Sequence, residues 1–446
     1  MTTWYVDLSQ PYEGTHANTG QAAGAPWGGP AGAQRAVAAA AAGDTILLAN
    51  ADPPADNVPL TALRKIPVAS TDAMDPGDLL ANQTRAGTAR IAVVGAGGYV
   101  LAECISGEFV DGDTVTPDGG TTTTTVDAAP SQPGLQVIGE LAADGTAEGA
   151  IALRGVAADW TTAEAAYLDG MSVCDGLTFD AVSYWRFDRL RFHRAGAYGV
   201  NGTGSECGQG CVFSRITADL AGVHGFNGLD ICRRTLMIDC AAVDATLEGM
   251  HNTPGAAALV GCRMTGNGSY GIGAAEDVTC YACVLADNGG PGLGTTLGGF
   301  VLALHCVLDG NPMGLYAYNA PALLAAIANR VTHNDEHGLH LSGSYAGHWS
   351  DYNVFFGNGA GPSFNVLHGP NDHGPAGSGL PHEDVTADGY VDRAAGDYRL
   401  APDAVGRRLA LVVGATTAHP SAGPPADDPP GHDHQVSFHP HEVTFA

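Results

Sequence analysis

Side chains whose types and spacing suit chemistry concentrate in three places along the 446 residues. The densest is His333-Asn-Asp-Glu-His337 with His340, followed by His348 and Asp351. A glycosidase needs two carboxylates about 5 to 10 Å apart. A lyase on an acidic sugar needs a cation and a basic side chain. Asp335, Glu336, His337 and Asp351 would serve such an enzyme, or a metal or carbohydrate site. The competing reading is a solvent-facing corner in which Asp335, Glu336 and His337 point outward.

The second place is Arg186, Arg189, Arg191, His193 and Arg194, with Asp188 among them. Strand alternation puts Arg189 and Arg191 outside and Leu190 and Phe192 inside. Arg189, Arg191 and His193 form a basic stripe suited to an anionic sugar, or they pair with Asp175, Asp180 or Asp219. The third place is the C-terminal tail, where His432-Asp-His434 and His439-Pro-His441 are two His-x-His pairs. Three chains meeting on an axis would bring six imidazoles per pair, enough for an octahedral transition metal. A solvated tail is the alternative. No other cofactor is indicated, and the many Gly-x-Gly runs read as turns.

The elements that position these groups follow from a repeat. From about residue 187 a phrase of apolar strand, polar or Asn-Gly corner and Gly plus apolar residue recurs eight times, from FDRLRFHRAGAYGV to YNVFFGNGAGPSFN. Aligned on Cys240, Cys262, Cys283, Cys306, Asn329 and Asn353, the steps are 22, 21, 23, 23 and 24 residues. One such coil cannot bury its own inner face. Stacked coils, paired at about 4.8 Å, enclose a continuous apolar interior. Eight of them make a rod of roughly 40 Å.

Cys240, Cys262, Cys283, Cys306, Asn329 and Asn353 then form a structural ladder. Asn267, Asn288, Asn311, Asn334 and Asn358 fall near another corner, where Asn tolerates a left-handed backbone and its amide reaches the next coil. The cysteines read as stacked free thiols. Cys280 and Cys283 with Cys207 and Cys211 as a zinc site, or disulfides, are the alternatives.

The repeat, the opening WYVDLSQPYEG with GPAGAQRAVAAAAAGDTILLA, the phrase SDYNVFFGN and the closing DGYVDRAAGDYRLAPDAVG together resemble the right-handed parallel β-helix, or pectate-lyase-like, superfamily. The match covers residues 1 to 50 and 166 to 410. It implies an all-β solenoid with an N-terminal helical cap. Chemistry is left open, because the superfamily holds lyases, hydrolases, epimerases and inert virion spikes.

Four regions are expected: 1–81, cap and first coils; 82–165, an inserted small β domain; 166–410, the β-helix; 411–446, a Pro-rich linker and His-rich tail. A helix over 34–42, stopped by Gly43, would plug the open end of the stack. The stretch Ser106 to Thr116, with the Thr run after it, resembles a module of bacteriophage structural proteins. The tail resembles the metal-binding tips of some phage spikes.

Composition narrows the functions. With 63 glycines and 26 prolines, turns are frequent and long helices scarce. The net charge of −28 repels nucleic acid and anionic membranes. Lys65 is the single lysine. No apolar run is long enough to span a bilayer, and MTTWYVDLSQ lacks the basic and apolar regions of a secretory signal.

The resulting expectation is a bacteriophage virion protein: a spike, fibre or surface-decorating subunit made in the host cytoplasm. Its partners would be itself as a homotrimer closed by QVSF and EVTFA of the tail, other virion proteins, and a host surface polysaccharide. A carbohydrate-active β-helix enzyme, lyase or depolymerase, is the alternative, with strong activity not expected.

Overall fold

The computed structural model describes residues 1–118, 121–138, 143–180, 182–203, 210–228, 235–251, 257–274, 277–295, 300–318, 323–342, 348–401 and 404–405. The tail, with His432, His434, His439 and His441, lies outside them, as does Cys207.

The chain winds into a parallel β-solenoid of about 13 turns. A typical coil passes through three short strands, Phe300–Leu304, Val307–Asp309 and Leu315–Tyr318, each of which pairs in parallel with its counterparts above and below. Three parallel sheets result. We call them first, second and third in the order a coil visits them. Alternate residues point inward and stack in columns, so Leu259, Cys280, Ala303 and Ala326 of the first sheet share one buried file. The interior is one continuous apolar core from Trp4 to Leu380.

Two corners per coil turn through a left-handed residue. Between the first and second sheets it is Arg189, Arg215, Asp239, Gly261, Ala282, His305, Ala328 and Tyr352, with φ between 52° and 64°. Between the second and third it is Arg194, Leu220, Asp244, Gly266, Asp287, Gly310, His333 and Gly357. The Asn ladder runs through the residues the sequence named, but the Asn residues are not themselves left-handed. The left-handed turn precedes each Asn, and the Asn side chain enters the core and bonds to its neighbour. Asn267 Nδ2 donates to Asn288 Oδ1 at 2.9 Å, Asn288 to Asn311 at 2.9 Å, and Asn334 to Asn358 at 2.8 Å.

The other ladder runs Cys240, Cys262, Cys283 and Cys306, then Asn329, Asn353 and Asp372. Cys306 N–H donates to Asn329 Oδ1, and Asn353 N–H to Asp372 Oδ1, both at 2.8 Å. The eight described cysteines are free thiols. Cys211 lies three coils from Cys280, roughly 14 Å at 4.8 Å per coil, so it shares no ion with Cys280 and Cys283. Burial pushes the Cys240 thiol up, and the other ladder thiols are equally enclosed. These four should resist iodoacetamide in the folded protein and react only on unfolding. Mass spectrometry showing native alkylation, or a disulfide among them, would contradict the ladder.

The helix runs Gly29–Ala39, starting five residues earlier than expected because Pro30 suits its first turn. It buries Ala33, Ala36 and Val37. Its Gln34 amide bonds to both backbone groups of Gln136 on Leu135–Ile138, the first strand of the third sheet, at 2.5 and 2.8 Å. One side chain thus imitates a neighbouring strand and closes that edge.

The inserted sheet is antiparallel and six-stranded, spanning Leu63–Pro67 to Thr124–Thr125 with its own core of Ile66, Leu80, Ile91, Val100 and Val115. The expected boundaries of 82 and 165 therefore move. Leu135–Ile138 and Ile151–Val156 already belong to the solenoid, but their coils lack the Asn-Gly phrase that marks later ones.

At the other end, the hairpin Tyr390–Asp392 with Asp397–Leu400 folds back across the flank. Tyr398 bonds to Asp287 at 3.1 Å, Arg393 to Asp309 at 2.6 Å, and Tyr390 to Thr332 at 2.9 Å. The closing sequence phrase is therefore a strap over three successive coils. No described helix is long and apolar enough to cross a membrane.

Candidate functional site on the third sheet

From Tyr198 to His340 the third-sheet strands share one pattern: an outward residue, then Gly, an inward apolar residue and a second outward residue. The units are Tyr198-Gly-Val-Asn201, His224-Gly-Phe-Asn227, Glu248-Gly-Met-His251, Tyr270-Gly-Ile-Gly273, Pro291-Gly-Leu-Gly294, Met313-Gly-Leu-Tyr316 and His337-Gly-Leu-His340. Parallel register stacks the last positions into a file from Asn201 through Asn227, His251, Gly273, Gly294, Tyr316 and His340 to Phe364. The first positions form a second file beside it. Together they make a strip about 34 Å long, seven coil steps of roughly 4.8 Å.

At one end, Tyr198, His224 and His251 stack face to face, with centroids 5.8 and 4.3 Å apart and the two imidazoles within 5° of parallel. The Glu248 carboxylate reaches both rings, hydrogen-bonded to His251 Nδ1 and 3.5 Å from His224 Nδ1. In the middle, Gly273 and Gly294 leave room for neighbours to lean across. A Cβ on Gly294 would strike the Tyr270 ring, and one on Gly273 would press on Glu248 at 3.2 Å. At the far end Tyr316, His340, His337 and Phe364 pack as an aromatic cluster with centroids 4.8 to 5.5 Å apart. The Nδ1 atoms of His337 and His340 are buried without a hydrogen-bond partner.

The Glu248 backbone N–H donates to His224 Nδ1 at 3.3 Å, which places the ring proton on Nε2. Burial, with His251 alongside, lowers His224 to about 4, so it is neutral at pH 7. Burial raises the Glu248 carboxyl while His251 opposes the shift. His251 then carries its proton on Nδ1 against Glu248 and offers Nε2 as a base.

Stability should reflect His224. Between pH 6.5 and about 4 the unfolded chain binds a proton that the folded ring refuses, so stability falls as pH drops through that window, by about 3 kcal/mol at most. His224→Phe keeps the stack and should flatten this part of the melting temperature against pH. An unchanged slope would contradict the assignment.

His224, Glu248 and His251 place three possible ligand atoms within 4.8 Å of one another. Two imidazoles and a carboxylate suit a transition metal rather than calcium. The near-parallel stacking argues against one: an ion between the rings would lie outside both ring planes, away from their lone pairs. The group is a hydrogen-bonded carboxylate–imidazole pair with a second imidazole stacked on it.

Of the residues singled out by sequence, His337 lies in the strip. Glu336 is exposed beside it, close enough to bear on the titration of Tyr316 and His340. Asp335 is exposed at the same corner. Asp351 is elsewhere, buried on the first sheet and occupied by the backbone N–H of Asn371 at 2.9 Å. These four do not form one site.

The basic stripe sits at the corner of the first and second sheets and is paired. Asp219 takes Arg191 at 3.0 Å and His193 at 2.5 Å, and Asp188 takes Arg189 at 2.7 Å, Arg215 at 2.6 Å and Arg154 at 3.2 Å. Leu190 and Phe192 face inward as alternation required.

Sequence reasoning passed over His224, Glu248 and His251. Aligning coils on the Gly-apolar step, rather than on the Cys and Asn corners, would have placed them in adjacent positions.

No family model matches the chain, and a search of curated proteins finds no match. Solved structures do match. Pectate lyase Pel9A superposes with a TM-score of 0.52 at 14% identity over 91% of this chain and 90% of its own. A rhamnogalacturonan lyase gives 0.48 at 11% identity, over 89% and 92%. The fold is therefore the parallel β-helix of the pectate-lyase type. At this identity the likeness establishes architecture alone.

Proposed function

We propose that this protein is a carbohydrate-active β-helix enzyme that binds a polysaccharide along the third sheet and cleaves it by proton abstraction. The observation that supports it is the strip itself: an outer face with Tyr198, His224, Glu248 and His251 grouped at one end, Tyr316, His337, His340 and Phe364 at the other, and Tyr270 leaning over the two glycines between them. Aromatic faces pack against the apolar faces of sugar rings, and the coil repeat lays them out at a period close to that of a glycan.

The chemistry favours elimination over hydrolysis. Glu248 and Glu336, the carboxylates that border the strip among the described residues, are four coils apart, roughly 19 Å, well beyond the spacing of a glycosidase pair. His251 Nε2 takes the proton next to a uronate carboxylate, whose charge a divalent cation carried in with the substrate would neutralise. A tyrosine protonates the departing oxygen, and Tyr270 fits because burial with Tyr316 and Glu248 nearby keeps its phenol protonated. Elimination leaves an unsaturated sugar, so the test is ultraviolet absorbance across a panel of uronate polysaccharides. Absence of unsaturated product from every member would overturn the eliminative reading.

The second reading is a virion spike that grips a host glycan along the same strip without cutting it, as a trimer held by residues 411–446. The resemblance of Ser106 to Thr116 to a phage module supports it. Glycan retention on an affinity gel without product, together with a trimeric mass by light scattering, would favour it over the enzyme.

A further inference from the structure

We infer a second catalytic centre, a serine ester hydrolase, at the C-terminal end of the rod. Ser363 Oγ lies 2.7 Å from His368 Nε2, and His368 Nδ1 lies 2.7 Å from Asp372 Oδ2. Hydroxyl, imidazole and carboxylate are thus joined in series through opposite ring nitrogens, the arrangement that makes a serine nucleophilic.

The fold explains each position. Ser363 falls in the file that carries Leu293, Leu315 and Leu339 in earlier coils. Every other described member is apolar and buried, whereas Ser363 is only half-buried on Gly361–Phe364, the last strand of the sheet. Among the described residues that strand is the last of its sheet, paired with His337–Ser342 on one side, and the proposal sets the oxyanion against the backbone N–H groups of its other edge.

Asp372 is completely buried, its Oδ1 taking Asn353 N–H at 2.8 Å and its Oδ2 taking Ser350 Oγ at 2.8 Å. It is a positioning residue that fixes the ring. The His368 ring is wedged edge to face on Phe355 at 5.3 Å. Leu367, next to His368 in the chain and 77% exposed, offers apolar surface for an acyl group.

The reaction balances without a cofactor. Ser363 Oγ bonds to the ester carbonyl carbon as its proton passes to His368 Nε2. The C–O bond to the alcohol breaks and the alkoxide leaves with that proton. Water, deprotonated by His368, then releases the carboxylate and restores Ser363. The substrate class is a carboxylic ester with a small acyl group. On a rod that binds glycan, which rests on the function proposed above, this is an O-acylated sugar.

The test uses diisopropyl fluorophosphate on the full chain, which needs no glycan and so stands apart from the elimination assay. One phosphoryl adduct per chain is expected, mapped to Ser363 and absent from Ser363→Ala with unchanged melting. His368→Gln should slow labelling by about 10²- to 10⁴-fold. Asp372→Asn should shift the pH profile of labelling, which loss of a merely structural contact would leave in place. Folded wild-type protein that takes no adduct, or takes one that persists in Ser363→Ala, overturns the proposal.

Discussion

His251→Gln is expected to lower the rate of unsaturated product formation by about 10²- to 10⁴-fold, with melting temperature almost unchanged. The ring is a third exposed and lies on the outer face, so replacing it opens no cavity in the core. What goes is the base: a glutamine amide still reaches Glu248 but has no lone pair basic enough to take a carbon-bound proton. Glu248→Gln should act in the same direction through His251, since an amide oxygen still accepts from Nδ1 but without the negative charge that makes the ring more basic. Initial rates on the substrate found by the panel measure both. A His251→Gln variant with wild-type rates would move the base elsewhere on the strip.

Asn288→Ala is expected to destabilise the fold by about 3 to 5 kcal/mol. Its side chain accepts from Asn267 N–H and Nδ2, and its own amide donates to Met264 C=O at 3.1 Å and Asn311 Oδ1 at 2.9 Å. All of these partners are buried, so truncation leaves donors and acceptors stranded away from water. Asn358→Ala, at the end of the ladder and less enclosed, should cost less. Urea titrations of both variants give the comparison. Equal midpoints would show that the ladder contributes no more inside the rod than at its end.

Much of the fold was legible because stacking repeats its demands. Cys240, Cys262, Cys283 and Cys306 announce a buried file, and the coil length follows from their spacing. The earliest coils were not legible. Ile151–Val156 pairs in parallel with Thr45–Ala49 across a hundred residues, and nothing local to either strand records a partner so distant. The left-handed corners escaped for another reason. Only some of those positions are Gly, and Arg215, His305 and Tyr352 carry no sign of a turn. The site was hidden by periodicity as well. His224 and His251 are 27 residues apart, and their contact appears only once the register of the third sheet is known. Ser363, His368 and Asp372 span ten residues, yet ordinary polar residues in a turn-rich stretch give no hint that a hydroxyl stands where other coils place Leu.

The constant coil spacing makes the rod a ruler. His251 and Phe364 share one file with five coil steps between them, so the His251–Glu248 pair and the serine next to Phe364 are about 24 Å apart. That distance is counted in whole coils. Duplicating or deleting the segment between one ladder Asn and the next leaves both ends of the rod intact and changes the gap by one notch of roughly 4.8 Å. On the two proposals above, a change in coil number would reset how many sugar units separate the two centres without redesigning either.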